Sequence, residues 1–432
     1  MSVFVKDGIL ELAQYLKSAD WEILSTGGTA KYLTDNGIQV TDVSSVTNFP
    51  ECLDGRVKTL HPAIHAGLLA RRDNPEHMKT IQDLDISTID LVCVNLYPFF
   101  EKVQAGLSFP ETVEFIDIGG PTMIRAAAKN YQDVIVLTDP ADYEIVIEGL
   151  KTGDVPVEVK RLLAGKVFNL TSAYDAAVSR FMLGAENPEE NELQHYYTMP
   201  LEKSQELRYG ENAHQKAALY LTADHKGAFG GMEQFQGKEL SYNNIRDLDV
   251  AWKAVSAYNK FVKNAESVKS DDGSTVSFAG TEGSIFTIAL KHNTPCGAAL
   301  GKDALDSYKK TYECDPVSIF GGIIGCSGTI DKAAAEEMVK CFLEVIVAPD
   351  FTEEALEVFK AKKNLRIIKA TVEATEFFDS MSVDGGLLVQ SRDNQLFEKW
   401  NVVTKAKPTQ DQIDEMAFGM TVAMFAKSNA IV

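Results

Sequence analysis

Several short segments of this sequence combine residue types that can grip an anion or move a proton. STGGT at 25–29 stands between an apolar run and an amphipathic one. Gly27 and Gly28 let the backbone approach an anion, while the hydroxyls of Ser25, Thr26 and Thr29 and a helix N-terminus can donate to it; a bare strand-to-helix turn is the alternative. GRVKTLHPAIHAGLL at 55–69 sets Arg56, Lys58 and Thr59 close together, then His61 and His65. Two histidines four apart suggest a metal, yet no carboxylate of the H-E-x-x-H kind lies between them and Pro62 follows the first, so core or supporting histidines are the favoured reading. DIGGPTMIRAAAKN at 117–130 joins the strand-end carboxylate Asp117 to Gly119 and Gly120, to a proline suited to a first helical turn, and to Arg125 and Lys129 on one helix face. Asp117 and Lys129 could handle protons beside a bound anion, or simply belong to a solvated face. In NLYPF, Asn95 and Tyr97 follow a strand, where an amide and a phenol could orient a ligand; a core tyrosine is equally compatible.

In the second half, KHNTPCG at 291–297 places Lys291 and His292 at a strand end, a cation for developing negative charge beside a base that titrates near neutrality. Cys296 in the same stretch is a tempting nucleophile, but nothing nearby would lower its pKa, and a buried thiol is favoured. RYGENAHQ at 208–215 and SYNN at 241–244 are polar-aromatic clusters of ligand-binding type.

These segments need a large scaffold, and the chain supplies one. Its 432 residues correspond to roughly three average domains or two large ones. A 45% hydrophobic and 24% charged composition is that of a chain able to bury a core. The net charge of −20 repels phosphate backbones, which argues against nucleic-acid binding and makes the few clustered cations the places where an anion must be held locally. No apolar window is long enough to span a membrane, no basic leader precedes the first apolar run, and the six cysteines stand singly; the chain reads as cytosolic.

Helical DGILELAQYLK, TAKYLTDNG, MIRAAAKN and the stretch within 151–182 alternate with strand-like WEILS, IQVTDVS, IDLVCVNLYPF and YQDVIVLTD. That alternation predicts a parallel α/β sheet with ligands at the carboxyl ends of its strands. After the acidic connector GAENPEENELQ, FTIAL, VSIFGGIIG and LEVIVAP predict further strands with helices such as KAAAEEMVKCFLE between them. Residues 264–284 predict an exposed loop or hairpin. The ends, SVFV and SNAIV, read as strands cut short.

The ordered set STGGT, GRVKTLHPAIHAGLL, NLYPF, DIGGPTMIRAAAKN, LRYGENAHQ, LSYNN, KHNTPCGAA, DPVSIFGGI, EVIVAP and KSNAIV resembles the bifunctional purine-biosynthesis family that joins an IMP cyclohydrolase to an aminoimidazole-carboxamide-ribonucleotide transformylase. The resemblance covers essentially the whole chain. It implies a methylglyoxal-synthase-like domain at 1–183, a connector at 184–199, and a cytidine-deaminase-like transformylase domain at 200–432. It further implies 10-formyltetrahydrofolate as co-substrate, purine nucleotide monophosphates as ligands, a homodimer sharing transformylase sites, and no catalytic metal.

By the same resemblance, Ser25 to Thr29 and Lys6 hold the nucleotide phosphate, with Arg56, Thr59, Asn95, Gly119 and Gly120 in that pocket. Lys58, Tyr97, Asp117 and Lys129 carry ring closure. In the second domain Arg208, Tyr209, Asn244, Phe320 and Gly321 line the nucleotide pocket, Lys291 and His292 are the catalytic pair, and Asn429 is a catalytic asparagine.

The sequence departs from the family in three places. Phe4 stands where some members have a ligand-binding serine, the family's first strand starts several residues earlier, and the family continues beyond SNAIV with a serine-arginine element and a DAFFPFRD-like segment. A polypeptide consisting of these residues alone is expected to retain ring closure and show weak or absent formyl transfer. A cyclohydrolase-only chain and a non-catalytic ligand-binding homologue are the alternatives; the intact charged residues argue against the latter.

Overall fold

The structure is a computed structural model that describes all residues except 98, 185–192, 223–226, 264–266, 278–282, 375–377 and 394. The described residues divide into two compact units, which part near Pro200 and Leu201. No helix among them is long and apolar enough to cross a membrane.

In the first unit two short parallel pairs form, β1 (Leu24–Ser25) with β2 (Thr41–Asp42), and β3 (Leu91–Cys93) with β4 (Ile135–Leu137). The opening residues run between the pairs: the Met1 ammonium donates to Leu24 O at 2.6 Å and Ser2 N to Cys93 O at 2.9 Å. SVFV therefore contributes one parallel bridge, Ser2 with Val94, rather than a full strand. IQVTDVS also differs from its expected strand, because the Asp42 carboxylate accepts from Ser44 N at 2.8 Å and caps a short helix, Val43–Thr47, that takes over the last residues.

Helices Ile9–Ser18, Gly27–Asp35, Gly119–Lys129 and Val157–Met182 share one hydrophobic core with these strands. The last of them buries Leu163, Ala164, Val167, Thr171, Tyr174 and Ala177, the three-and-four spacing of a single helix face.

The second unit opens with a hairpin, β5 (Leu201–Leu207) and β6 (Ala217–Thr222). Next come β7 (Glu233–Gln236) and a second hairpin, β8 (Ser267–Lys269) with β9 (Thr275–Ser277), within the stretch read as loop or hairpin. A mixed sheet has the order β11 (Thr294–Gly301), β10 (Ile285–Lys291), β12 (Ile323–Cys326), β13 (Val345–Ala348), β14 (Arg366–Lys369), β7. Its central strands are buried on both faces, so they read as continuous apolar runs. In β13, Val345 and Val347 join the core beneath helix Tyr242–Tyr258, while Ile346 and Ala348 join the core on the other face.

VSIFGGIIG yields a strand only over its last residues. Asp315 Oδ1 accepts from Val317 N at 3.1 Å and Ser318 N at 2.9 Å, which turns the chain before β12 begins. A third hairpin, β15 (Phe378–Val383) with β16 (Gly386–Ser391), and helix Gln410–Ala423 follow. SNAIV is not a strand: no strand among the described residues pairs with it and Ile431 is 94% exposed, so β-prone side chains alone do not extend it.

Helix Ala304–Cys314 lies so close to β11 that a Cβ on Gly301 would stand 2.2 Å from Ser307 N, in the helix backbone. Gly301→Ala is expected to cost about 2 kcal/mol or more, because backbone rather than a flexible side chain would have to move. Urea unfolding of the variant, read as a lower midpoint, checks this.

Candidate functional site

Two helix starts in the first unit approach one loop. Thr26 is the N-cap of the Gly27–Asp35 helix, and its side chain makes no capping bond. Lys58 Nζ lies 3.7 Å from where a Cβ on Gly27 would be, and 3.1 Å from Glu51 Oε1. The next residue, Thr59, puts its Oγ1 3.1 Å from the Cβ position of Gly119, the first residue of the other helix. Adjacent residues thus touch both N-termini, bringing a cation, a hydroxyl and two positive dipole ends to one place. That arrangement suits a phosphate in a chain of strongly negative charge.

The other predicted hydroxyls hold backbone. Ser25 Oγ donates to Met1 O at 2.7 Å, and Thr29 Oγ1 donates to Val3 O and accepts from Val3 N, each at 3.0 Å. Ser25 and Thr29 are buried, so their hydroxyls fix residues 1–3 instead of facing solvent. Lys6 Nζ donates to Thr29 Oγ1 at 3.2 Å and to Val3 O, and burial pushes this ammonium's pKa down. Asn95 is engaged likewise: Oδ1 accepts from the amides of Phe4 and Val5, and Nδ2 donates to Val5 O at 3.1 Å. These contacts bring the Phe4 ring to 5.1 Å from Tyr97, whose side chain is about half exposed.

Asp117 stands at the start of the Gly119–Lys129 helix. Its Oδ1 accepts from Gly120 N at 2.9 Å, and its own amide donates to Tyr174 Oη at 2.7 Å. Gly120 has to lack a side chain, since a Cβ would meet Asp117 Oδ2 at 2.6 Å and Leu96 at 3.0 Å. Burial raises the Asp117 pKa, and the Gly120 bond opposes part of that rise. The folded carboxyl is therefore harder to ionise than the unfolded one; its contribution to stability is full below its ordinary pKa and is lost as pH rises through the raised one. Asp117→Asn keeps an oxygen for Gly120, and should melt above the parent near pH 7, with the gap closing toward about pH 4. Melting temperature against pH checks the sign.

Lys129 is not brought to Asp117. It lies exposed at the far end of the helix, about 15 Å of helix rise from Gly119, so the two cannot form a direct proton-handling pair. Arg56 is paired with Glu114 on the surface, and Arg125 lies over the Phe168 ring at 5.5 Å. His61 Nδ1 accepts from Ala63 N at 3.2 Å and caps the Pro62–Leu69 helix, while His65 Nε2 is buried without a partner and burial lowers its pKa. No group of three metal-ligating side chains is found among the described residues.

A cavity of about 510 Å³ lies in this unit between β1 and β3. Its lining includes Thr26 and Thr59 together with Trp21, Ile23, Leu91 and Val92, and neither Lys58, Tyr97 nor Asp117 borders it. The cations, not this cavity, mark the anion site.

In the second unit Lys291 and Thr294 are cross-strand partners, leaving His292 and Asn293 as the two-residue turn between β10 and β11. Lys291 Nζ donates to Phe320 O at 2.9 Å, which joins the turn to the Phe320–Gly321 stretch. Phe320 packs at 5.2 Å on Phe342 and is 59% exposed. Burial raises the Cys296 pKa, in keeping with a thiol and not a nucleophile. Arg208 follows β5 with its guanidinium 5.5 Å from the Tyr209 ring. The Asn244 carboxamide is buried and fully engaged, Oδ1 accepting from Ser241 and Nδ2 donating to Glu344 at 2.8 Å. Asn429 is exposed, and no hydrogen bond among the described residues joins it to the Lys291–His292 turn.

Sequence reasoning missed Glu51, Glu114, Tyr174 and Glu344, each of which holds a predicted site residue. Only Glu51, a few residues before the basic cluster, had a local signal.

The sequence model of the AICARFT/IMPCHase bienzyme family matches residues 127–432, and that of the MGS-like domain matches residues 8–122. The chain is 56% identical over its whole length to the bifunctional purine biosynthesis protein PurH of Clostridium acetobutylicum, covering 81% of that protein. It is 53% identical to PurH of Clostridium botulinum strain Okra, with the same coverage of both chains. A solved structure described as ForH is 38% identical over 42% of this chain and 94% of its own, with a TM-score of 0.39. With a family model over most of its length and relatives above half identity throughout, the chain belongs to the AICARFT/IMPCHase bienzyme family, with an MGS-like domain preceding the bienzyme region.

Proposed function

We infer that this chain performs the last two steps of IMP synthesis as a cytoplasmic homodimer. The carrying observation is the 56% identity to a bifunctional PurH over every residue of the chain. In the transformylase domain, residues 200–432, the ring amine of aminoimidazole-carboxamide ribonucleotide attacks the formyl carbon of 10-formyltetrahydrofolate. The new C–N bond replaces the bond to the folate nitrogen, which leaves as it gains a proton. His292 helps remove the proton from the attacking amine, and Lys291 assists the leaving nitrogen. Arg208 and Tyr209 grip the nucleotide, with Phe320, Gly321 and Asn429 completing the pocket; Asn244 supports it through Glu344.

In the cyclohydrolase domain, residues 1–183, the carboxamide nitrogen attacks the formyl carbon and water is lost. Thr26, Gly27 and Gly28 take the phosphate at their helix start, while Ser25, Thr29, Lys6 and Asn95 hold the opening loop against it. Lys58 stabilises the oxyanion, and Tyr97 and Asp117 move the protons. Thr59, Gly119 and Gly120 shape the second helix start, and Arg56 lies at the outer edge. Lys129 acts apart from Asp117, at the other end of the helix. No step calls for a metal.

Two assays test the reading. The formylated ribonucleotide should give IMP, and the unformylated one should give IMP when 10-formyltetrahydrofolate is added. IMP from the first alone would restrict the chain to ring closure, and no product from either would overturn the enzymatic reading. Sedimentation at micromolar concentration checks the dimer.

A further inference from the structure

The N-terminal half of helix Tyr242–Tyr258 reaches three segments of the second unit. Asn244 bonds Glu344 just before β13, and Arg246 lies 3.8 Å from Glu211 in the 208–215 stretch. Asp247 Oδ1 accepts the Asn293 N–H at 2.7 Å. This third contact falls on the turn that carries the predicted catalytic pair.

Both turn residues have left-handed backbone, with φ of 55° at His292 and 58° at Asn293. Positive φ at both positions is the type I′ form, whose twist matches the flanking strands. Neither residue is glycine, so the turn carries a conformational cost, greater at His292 than at Asn293, that its surroundings must offset. A second turn residue's N–H has no partner in the ladder; Asp247 provides one from the helix. The turn also aims two functional side chains, the exposed His292 imidazole and the Lys291 ammonium that reaches Phe320 O. Relaxation to a right-handed turn would splay β10 and β11 and redirect both.

We propose that Asp247 is a positioning residue for formyl transfer: by holding the Asn293 amide, it keeps the His292–Asn293 turn in the left-handed form that presents His292 and Lys291 to the reacting amine. This rests on the assignment of those two residues to formyl transfer.

The test uses the full chain. Asp247→Ala should lower kcat for formyl transfer about 10-fold or more, because a misplaced catalytic group costs rate rather than binding. KM for the ribonucleotide should stay within about 3-fold, and ring closure should not change. Asp247→Asn retains an oxygen acceptor and should recover most of the loss. Adding Asn293→Gly to Asp247→Ala should also restore rate, since glycine adopts positive φ without a clamp. Parental kcat in Asp247→Ala overturns the proposal. So does a loss spread over kcat and KM that neither the asparagine nor the glycine variant recovers, which is the signature of a merely structural role. His292→Ala is measured alongside. If it leaves formyl transfer intact, the assignment of the pair fails and the proposal falls with it; if it abolishes transfer while Asp247→Ala has no effect, only the positioning role fails.

Discussion

Replacing Lys58 with alanine should lower ring closure by about two to three orders of magnitude, the usual loss when a donor to a developing oxyanion is removed. The expectation follows from where the ammonium stands. It lies beside the start of the Gly27–Asp35 helix, in contact with Glu51, and is followed directly by Thr59 at the start of the Gly119–Lys129 helix. An oxygen that gains charge here meets a cation held by a carboxylate, and beside it the positive ends of two helices, so little reorganisation is needed as the charge develops. Lys58→Arg should recover only part of the rate, since a planar guanidinium cannot occupy the point that an ammonium does. Turnover of the formylated ribonucleotide is the measurement. Formyl transfer, assayed by folate release, should stay at the parental rate, because Lys58 belongs to the first unit and the Lys291–His292 turn to the second. A Lys58→Ala protein that closes the ring at the parental rate would remove this residue from the mechanism.

The second large effect is expected at His292. His292→Ala should reduce formyl transfer by about two to four orders of magnitude, the range for loss of a positioned general base, and leave ring closure intact. The imidazole is exposed on a two-residue turn whose backbone is held from the helix by Asp247 and whose preceding residue, Lys291, reaches Phe320 O. Base and cation thus project from neighbouring positions of one hairpin. If His292 accepts the proton, the surviving rate of His292→Ala should rise with added imidazole, whereas damage to the pocket would not respond. Lost ring closure in this variant would instead indicate that the replacement harms the whole chain.

Some features were legible in the sequence because their causes are local. The three-and-four spacing in 157–182 specifies a buried helix face, and the apolar run around Val345–Ala348 specifies a strand covered on both sides. Glycine-bearing turns before helices marked both helix starts that flank Lys58 and Thr59. Other features followed from partners distant in the chain. Nothing near STGGT indicates that Ser25 and Thr29 bond to residues 1–3, or near NLYPF that Asn95 grips Phe4 and Val5. Polar residues in a turn can face a ligand or pin a backbone, and only the fold chooses between them. The expected strands in VSIFGGIIG and IQVTDVS were shortened by aspartates at 315 and 42, whose carboxylates satisfy nearby amides and turn the chain.

The order of motifs, enough apolar side chain to bury a core and a few cations in a −20 chain are properties of residue type and spacing, and the sequence by itself determined them. Which hydroxyls stay available and which carboxylate holds the His292 turn were decided by the tertiary structure alone. A hydrogen bond acts over about 3 Å of space, and residues as far apart in sequence as Asp247 and Asn293 come within that distance only when helix and sheet have packed.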